Sequence, residues 1–178
     1  MVRLRAGRVD AERLAVQLRP SMPHGWRINR EHLEASKQTY IELATQDGGS
    51  LETTVFGGFS NGGAQALVTG LQTPCAGILA LSCSLFGFRE FDEAAVTSKP
   101  VLFCTGEKDP YIPVSEVEAD KAFIAGRTKC DVQVRTFKCM GHESCEQELA
   151  VCANWLAKIL VVDDDAALGA AAGVSFVK

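Results

Sequence analysis

No stretch of these 178 residues stays apolar for the roughly 18 to 20 positions that a membrane-spanning helix needs. The opening MVRLRAGRVD also lacks the apolar core of a signal peptide. A soluble, cytoplasmic chain with no integral membrane segment is therefore expected. Basic runs and aromatic-basic interleaving are missing too, and a formal charge of −4 spread along the chain gives nucleic acid nothing to hold. Neither G-x-G-x-x-G nor G-x-x-x-x-G-K-[ST] occurs, so a nucleotide-binding βαβ unit is excluded. The seven cysteines, Cys75, Cys83, Cys104, Cys130, Cys139, Cys145 and Cys152, form an odd set without a C-x-x-C pair, and several fall inside apolar runs, which reads as reduced core thiols. HESC at 142–145 lacks the second histidine of H-E-x-x-H, so zinc chemistry has no basis, and no cofactor is implied.

What is present fits one globular core, with 47% apolar and 22% charged residues. Leu14, Val16 and Leu18 alternate with polar residues up to Pro20, the period of a half-buried strand, although a short helix over Asp10–Arg13 competes with it. From Asn29, a helix is expected with Leu33, Tyr40, Ile41 and Ala44 on one face, stopped by Asp47-Gly48-Gly49. Strands follow at Thr53–Phe56, Ala76–Leu81, Val101–Cys104 and Asp131–Phe137. Between and after them lie an Ala-rich helical stretch that follows Gly57–Gly63 and runs to about Leu71, a helix from Ser115 to Ala125, and one from Glu143 to Leu160 with Leu149, Cys152, Leu156 and Ile159 on one face. Short apolar strands separated by helices predict an α/β fold, a mostly parallel sheet covered on both faces. Residues 1–160 are expected to form a single domain, with 161–178 as a tail in which Asp163, Asp164 and Asp165 are a solvated run rather than metal ligands.

Gly58-Phe59-Ser60-Asn61-Gly62 matches G-x-S-x-G, where a strained strand-to-helix turn lifts the serine hydroxyl above the sheet. Such a hydroxyl is a poor nucleophile until a base takes its proton. The pattern recurs by chance in glycine-rich loops, but here a strand precedes it and a helix follows. Asp109 lies just past the strand Val101–Cys104, at the sheet edge where open α/β folds build their sites. An isolated Asp-Pro pair would be an ordinary turn, and Glu107 is a second, weaker carboxylate candidate. Of the three histidines, His24 and His32 precede the serine, and only His142 follows a late strand and completes the order Ser, Asp, His.

In GGFSNGGAQAL, the strand end Ala80-Leu81-Ser82-Cys83, the loop Gly106–Pro113 and Met140-Gly141-His142-Glu143-Ser144-Cys145 through Glu148, the chain resembles the acyl-protein thioesterases and related carboxylesterase/lysophospholipases of the α/β-hydrolase fold. The resemblance covers about residues 50 to 160. It implies Ser60 as nucleophile, Asp109 as orienting acid, His142 as base and the backbone N–H of Asn61 as an oxyanion donor. It also implies hydrolysis of acyl esters or thioesters, with S-palmitoylated proteins and lysophospholipids as familiar substrate classes. The loop after the Ala80–Cys83 strand lines the acyl channel in such enzymes, which nominates Leu85, Phe86 and Phe88. Packing in the core is the equally weighted alternative for these three.

Two departures stand out. Asn61 replaces a usual glutamine, a mild change because the backbone contributes there. Members of that family also begin with further strands, one ending in a His-Gly loop that supplies a second oxyanion donor, and no such strand is legible here. His24-Gly25 aligns elsewhere and reads as a chance dipeptide. The expectation is therefore an N-terminally shortened hydrolase whose strand at Thr53–Phe56 lacks a neighbour. The alternative is a catalytically impaired isoform or incomplete gene product acting at most as a binding module, and the oligomeric state stays open.

Overall fold

The computed structural model describes residues 30–160 except 87, 89 and 90, and for 30–33 and 47 the backbone alone. The expected strand at Leu14–Leu18, His24-Gly25 and the tail at 161–178 lie outside the described residues.

The elements run α1 (Arg30–Thr45), β1 (Val55–Phe59), α2 (Asn61–Leu71), β2 (Gly77–Leu81), β3 (Pro100–Gly106), α3 (Val114–Arg127), β4 (Asp131–Phe137) and α4 (Glu146–Ile159). Short 3-10 turns occupy Gln46–Gly48 and Glu93–Ala95. All strand pairs are parallel, in the order β1-β2-β3-β4. Side chains in a strand alternate between faces, so each strand feeds two cores. Phe56, Ile78, Ala80, Val101 and Phe103 point to the side covered by α1, α2 and α3, where Leu67, Leu71, Val117 and Ile124 meet them. Val55, Leu79, Leu81, Leu102 and Cys104 point the other way, onto Cys152 and Trp155 of α4. Helices thus cover both faces, the arrangement that buries the apolar strands β1, β2 and β3, while the edge strand β4 stays partly open to water.

Most element boundaries differ from the sequence reading by a residue or two, and two of the shifts have a clear physical reason. β1 begins at Val55 and runs on through Gly57 and Gly58 to Phe59. A Gly-Gly pair reads as a turn, yet parallel pairing of Gly57 with Leu79 and Gly58 with Ala80 supplies the hydrogen bonds that a lone chain would lack. α4 begins at Glu146 rather than Glu143, because Cys145 is its N-cap and accepts from the Glu148 backbone N–H. Its buried face runs through Glu148, Cys152 and Trp155, with Leu149 only half-buried.

Among the described residues, β1 stands at one edge of the sheet and β4 at the other. Four of the five β1 residues are nonetheless buried. The C-terminal ends of the parallel strands all open on one side of the molecule, and the loops leaving β1, β3 and β4 carry Ser60, Asp109 and His142.

Candidate active site

Ser60 sits between the last residue of β1 and the first of α2 with φ 54° and ψ −121°, a backbone state costly for a residue with a side chain, of the order of 1–3 kcal/mol. The surrounding framework holds it there. Its N–H donates to the Leu81 carbonyl at 2.8 Å, and its carbonyl accepts from the Ala64 N–H at 3.1 Å. The turn is so tight that a Cβ on Gly58 would collide with the Gly62 carbonyl, which is the steric reason for the first glycine of the motif. Asn61 opens α2, so its N–H is among those that a helix leaves without an internal acceptor.

Asp109 is positioned by its own loop. One carboxylate oxygen accepts from the backbone N–H of Tyr111 at 2.8 Å and of Ile112 at 3.0 Å. The other lies 2.8 Å from His142 Nδ1, and the Asp109 side chain is fully shielded from solvent. Such a turn-locked carboxylate presents one oxygen in a fixed direction.

His142 reaches back over the sheet edge from the segment between β4 and α4. The Lys108 N–H donates to the Met140 carbonyl at 3.0 Å, and the Glu107 N–H to the Phe137 carbonyl at 3.0 Å, lacing the acid's loop to the histidine's. Gly106 makes this approach possible, since a Cβ there would run into the Met140 carbonyl. The imidazole lies between Phe59, with ring centres 4.9 Å apart, and Tyr111, at 5.1 Å and nearly perpendicular. Its Nε2 is 3.0 Å from Ser60 Oγ. With Nδ1–H donating to the Asp109 carboxylate, Nε2 is left to accept from the serine hydroxyl. One ring therefore connects a carboxylate, a base and a hydroxyl in a single line.

The remaining nominees lie outside the hydrogen-bonded line of Ser60, His142 and Asp109. Glu107 is exposed and accepts from the Thr136 hydroxyl at 3.4 Å, away from the imidazole. Leu85 is fully buried in the core, while Phe86 and Phe88 pack against that core and keep part of their surface open. Sequence reasoning missed what holds this loop. The Leu85 N–H donates to Asp120 at 2.6 Å and the Ser84 hydroxyl to Glu116 at 2.6 Å, so α3 anchors it through two carboxylates. A signal existed: Asp120 shares the buried stripe of α3 with Val117 and Ile124, a charge where the helical period calls for an apolar residue.

Among the described residues no His, Cys, Asp or Glu group is arranged to hold a metal ion, and no helix is long and apolar enough to cross a membrane. The seven cysteines are free thiols, and the Cys104 thiol is pushed far up by its hydrogen bond with Cys152 and by burial, which makes it inert.

The model of the phospholipase/carboxylesterase family matches residues 29–160. The chain belongs to that family. The chain is 33% identical over 129 residues to acyl-protein thioesterase 1 of Gibberella zeae, a match covering 67% of this chain and 54% of that protein. It spans about half the length of the curated relatives it matches. Acyl-protein thioesterase 2 of Zea mays is similar in structure, with a TM-score of 0.62 at 17% identity over 79% of this chain and 70% of that one. The Bacillus cereus carboxylesterase gives a TM-score of 0.62 at 18% identity over 73% and 61% of the two chains. These likenesses carry the α/β-hydrolase fold.

Proposed function

We propose that this chain is a serine hydrolase that cleaves carboxylic esters or thioesters of acyl chains through an acyl-enzyme. The observation that carries the reading is the engagement of both His142 nitrogens at once, 3.0 Å from Ser60 Oγ and 2.8 Å from Asp109. In the first half-reaction His142 Nε2 takes the Ser60 proton as Oγ bonds to the acyl carbonyl carbon. The carbon–oxygen or carbon–sulfur bond to the leaving group then breaks, and the imidazolium returns its proton to the departing atom. In the second half-reaction water replaces the leaving group, His142 takes its proton, and the acid departs as Ser60 Oγ is reprotonated. Asp109 keeps the proton on Nδ1 and stabilises the charged ring, and the Asn61 N–H faces the developing oxyanion.

Acylated proteins and small acyl esters or lysophospholipids are the proposed substrates, with Phe86 and Phe88 beside the acyl chain. The names of the relatives, acyl-protein thioesterase 1 among them, support the substrate class. A cytoplasmic setting belongs to the same reading and is supported by the seven free thiols, which suit a reducing compartment.

A fluorophosphonate probe tests the proposal: it should label the chain once, and Ser60→Ala should abolish the label. Labelling that persists in Ser60→Ala removes the nucleophile and the mechanism with it.

A further inference from the structure

Tyr111 is one of only two large hydrophobic side chains that stand exposed among the described residues, at 61% of its free surface. Unlike Leu43, the other one, it borders the candidate site. Its backbone N–H is committed to Asp109, and its ring meets the His142 imidazole nearly at right angles, with centres 5.1 Å apart. Phe59 already packs on the same imidazole, and the backbone of the Asp109 turn needs no side chain at position 111 to form. With most of its ring in water, Tyr111 contributes little buried area to the fold.

The chemistry of the site says what reaches it. An atom that receives a proton from His142 Nε2 must come within about 3 Å of that nitrogen. Whatever that atom carries therefore lies beside the imidazole, which the Tyr111 ring also borders. In acylation the atom is the leaving oxygen or sulfur. In deacylation water takes the leaving group's place and gives its proton to His142, which returns it to Ser60 Oγ, and water carries nothing that the ring could hold.

We infer that Tyr111 is the leaving-group contact of this hydrolase, selecting esters and thioesters whose alcohol or thiol carries a bulky apolar or aromatic carbon framework. The inference rests on the acyl-enzyme reading of Ser60 and His142. It separates two roles that a single rate would confuse. A ring that only steadies His142 serves both half-reactions, because the histidine works in both. A ring that holds the leaving group serves the first alone.

The test uses the full chain and two esters of one acyl acid, a p-nitrophenyl ester and an ethyl ester. Values of kcat/KM report acylation, and the decay of the shared acyl-enzyme after the p-nitrophenyl burst reports deacylation. Tyr111→Ala should lower kcat/KM for the p-nitrophenyl ester about tenfold and for the ethyl ester much less, with acyl-enzyme decay unchanged. Tyr111→Phe, which keeps the ring, should retain most of the p-nitrophenyl activity. Equal slowing of both half-reactions, or an equal loss for both esters, overturns the assignment and leaves the ring as a support for His142. If the unmodified chain gives no burst that depends on Ser60, the acyl-enzyme reading itself falls and the assignment goes with it.

Discussion

His142 lies 82 residues from Ser60 and 33 from Asp109 along the chain, yet one imidazole is within hydrogen-bond reach of both. Residues that act in one proton transfer do not contribute separately. Ser60→Ala and His142→Ala should each nearly abolish hydrolysis of an activated ester, and the double variant should be about as impaired as either single one. Losses that multiply would mean the two side chains do not share a step. A second residue-scale prediction concerns Glu148, which is fully buried at the start of α4. Neither of its carboxylate oxygens meets a partner within strict hydrogen-bond geometry, although the Ser144 hydroxyl and Cys145 N–H lie near enough to favour the charge. Burial outweighs them and raises the carboxyl above its ordinary 4.5. A raised carboxyl binds more protons folded than unfolded, so its contribution to stability is fully present below 4.5 and is lost as pH climbs through the folded value. Compared with Glu148→Gln, the unmodified chain should therefore lose stability as pH rises from that point. Urea midpoints measured across the range check this, and parallel curves for the two proteins would contradict it.

At the level of elements, the site depends on how closely the β3 loop approaches the segment after β4. Gly106 ends β3 directly against the Met140 carbonyl, and Lys108 bonds to that same carbonyl. Gly106→Ala must push backbone against backbone, which has no rotamer escape, so the His142 segment has to shift. Overpacking of this kind costs about 1–3 kcal/mol, and a displacement near 1 Å can cost about 10² in rate. The variant should keep its circular dichroism spectrum while both kcat and the denaturation midpoint fall. Unaltered turnover would show that the two loops move independently. The loop after β2 is held differently, by Asp120 and Glu116 of α3. Leu85 is core, so trimming it should cost stability rather than selectivity. Phe86 and Phe88 retain open surface, as their proposed place beside an acyl chain requires.

For the whole molecule, the proposed division of labour puts the acyl chain beside the β2 loop and the leaving group beside the β3 loop. Activity should rise as the acyl chain lengthens from two carbons, since each buried methylene is worth roughly 0.8 kcal/mol before opposing costs. Phe86→Ala and Phe88→Ala should flatten that trend, and an unchanged chain-length profile in both would return these rings to the core. Much of this architecture was legible in the residues. Alternation of apolar positions marked β4 to the residue, and the Ala-rich stretch after Ser60 marked α2 through Leu71. The order of Ser60, Asp109 and His142 along the chain, each just past a strand, singled out the three side chains that the structure brings within hydrogen-bond reach.

Local pattern determined those features because strand alternation, a strained glycine-flanked turn and an Asp-Pro loop are written in neighbouring residues. Tertiary structure alone decided the rest. Parallel pairing with β2 turned Gly57-Gly58 from an apparent turn into strand. Packing of the β3 loop against the segment after β4 set His142, outside α4, against Asp109, 33 residues back along the chain. Leu85 went into the core while Tyr111 stayed in water, although the sequence singled out only the first. In each case the deciding partner lies far along the chain, where no local period can register it, and only the packed sheet brings it within a few ångströms.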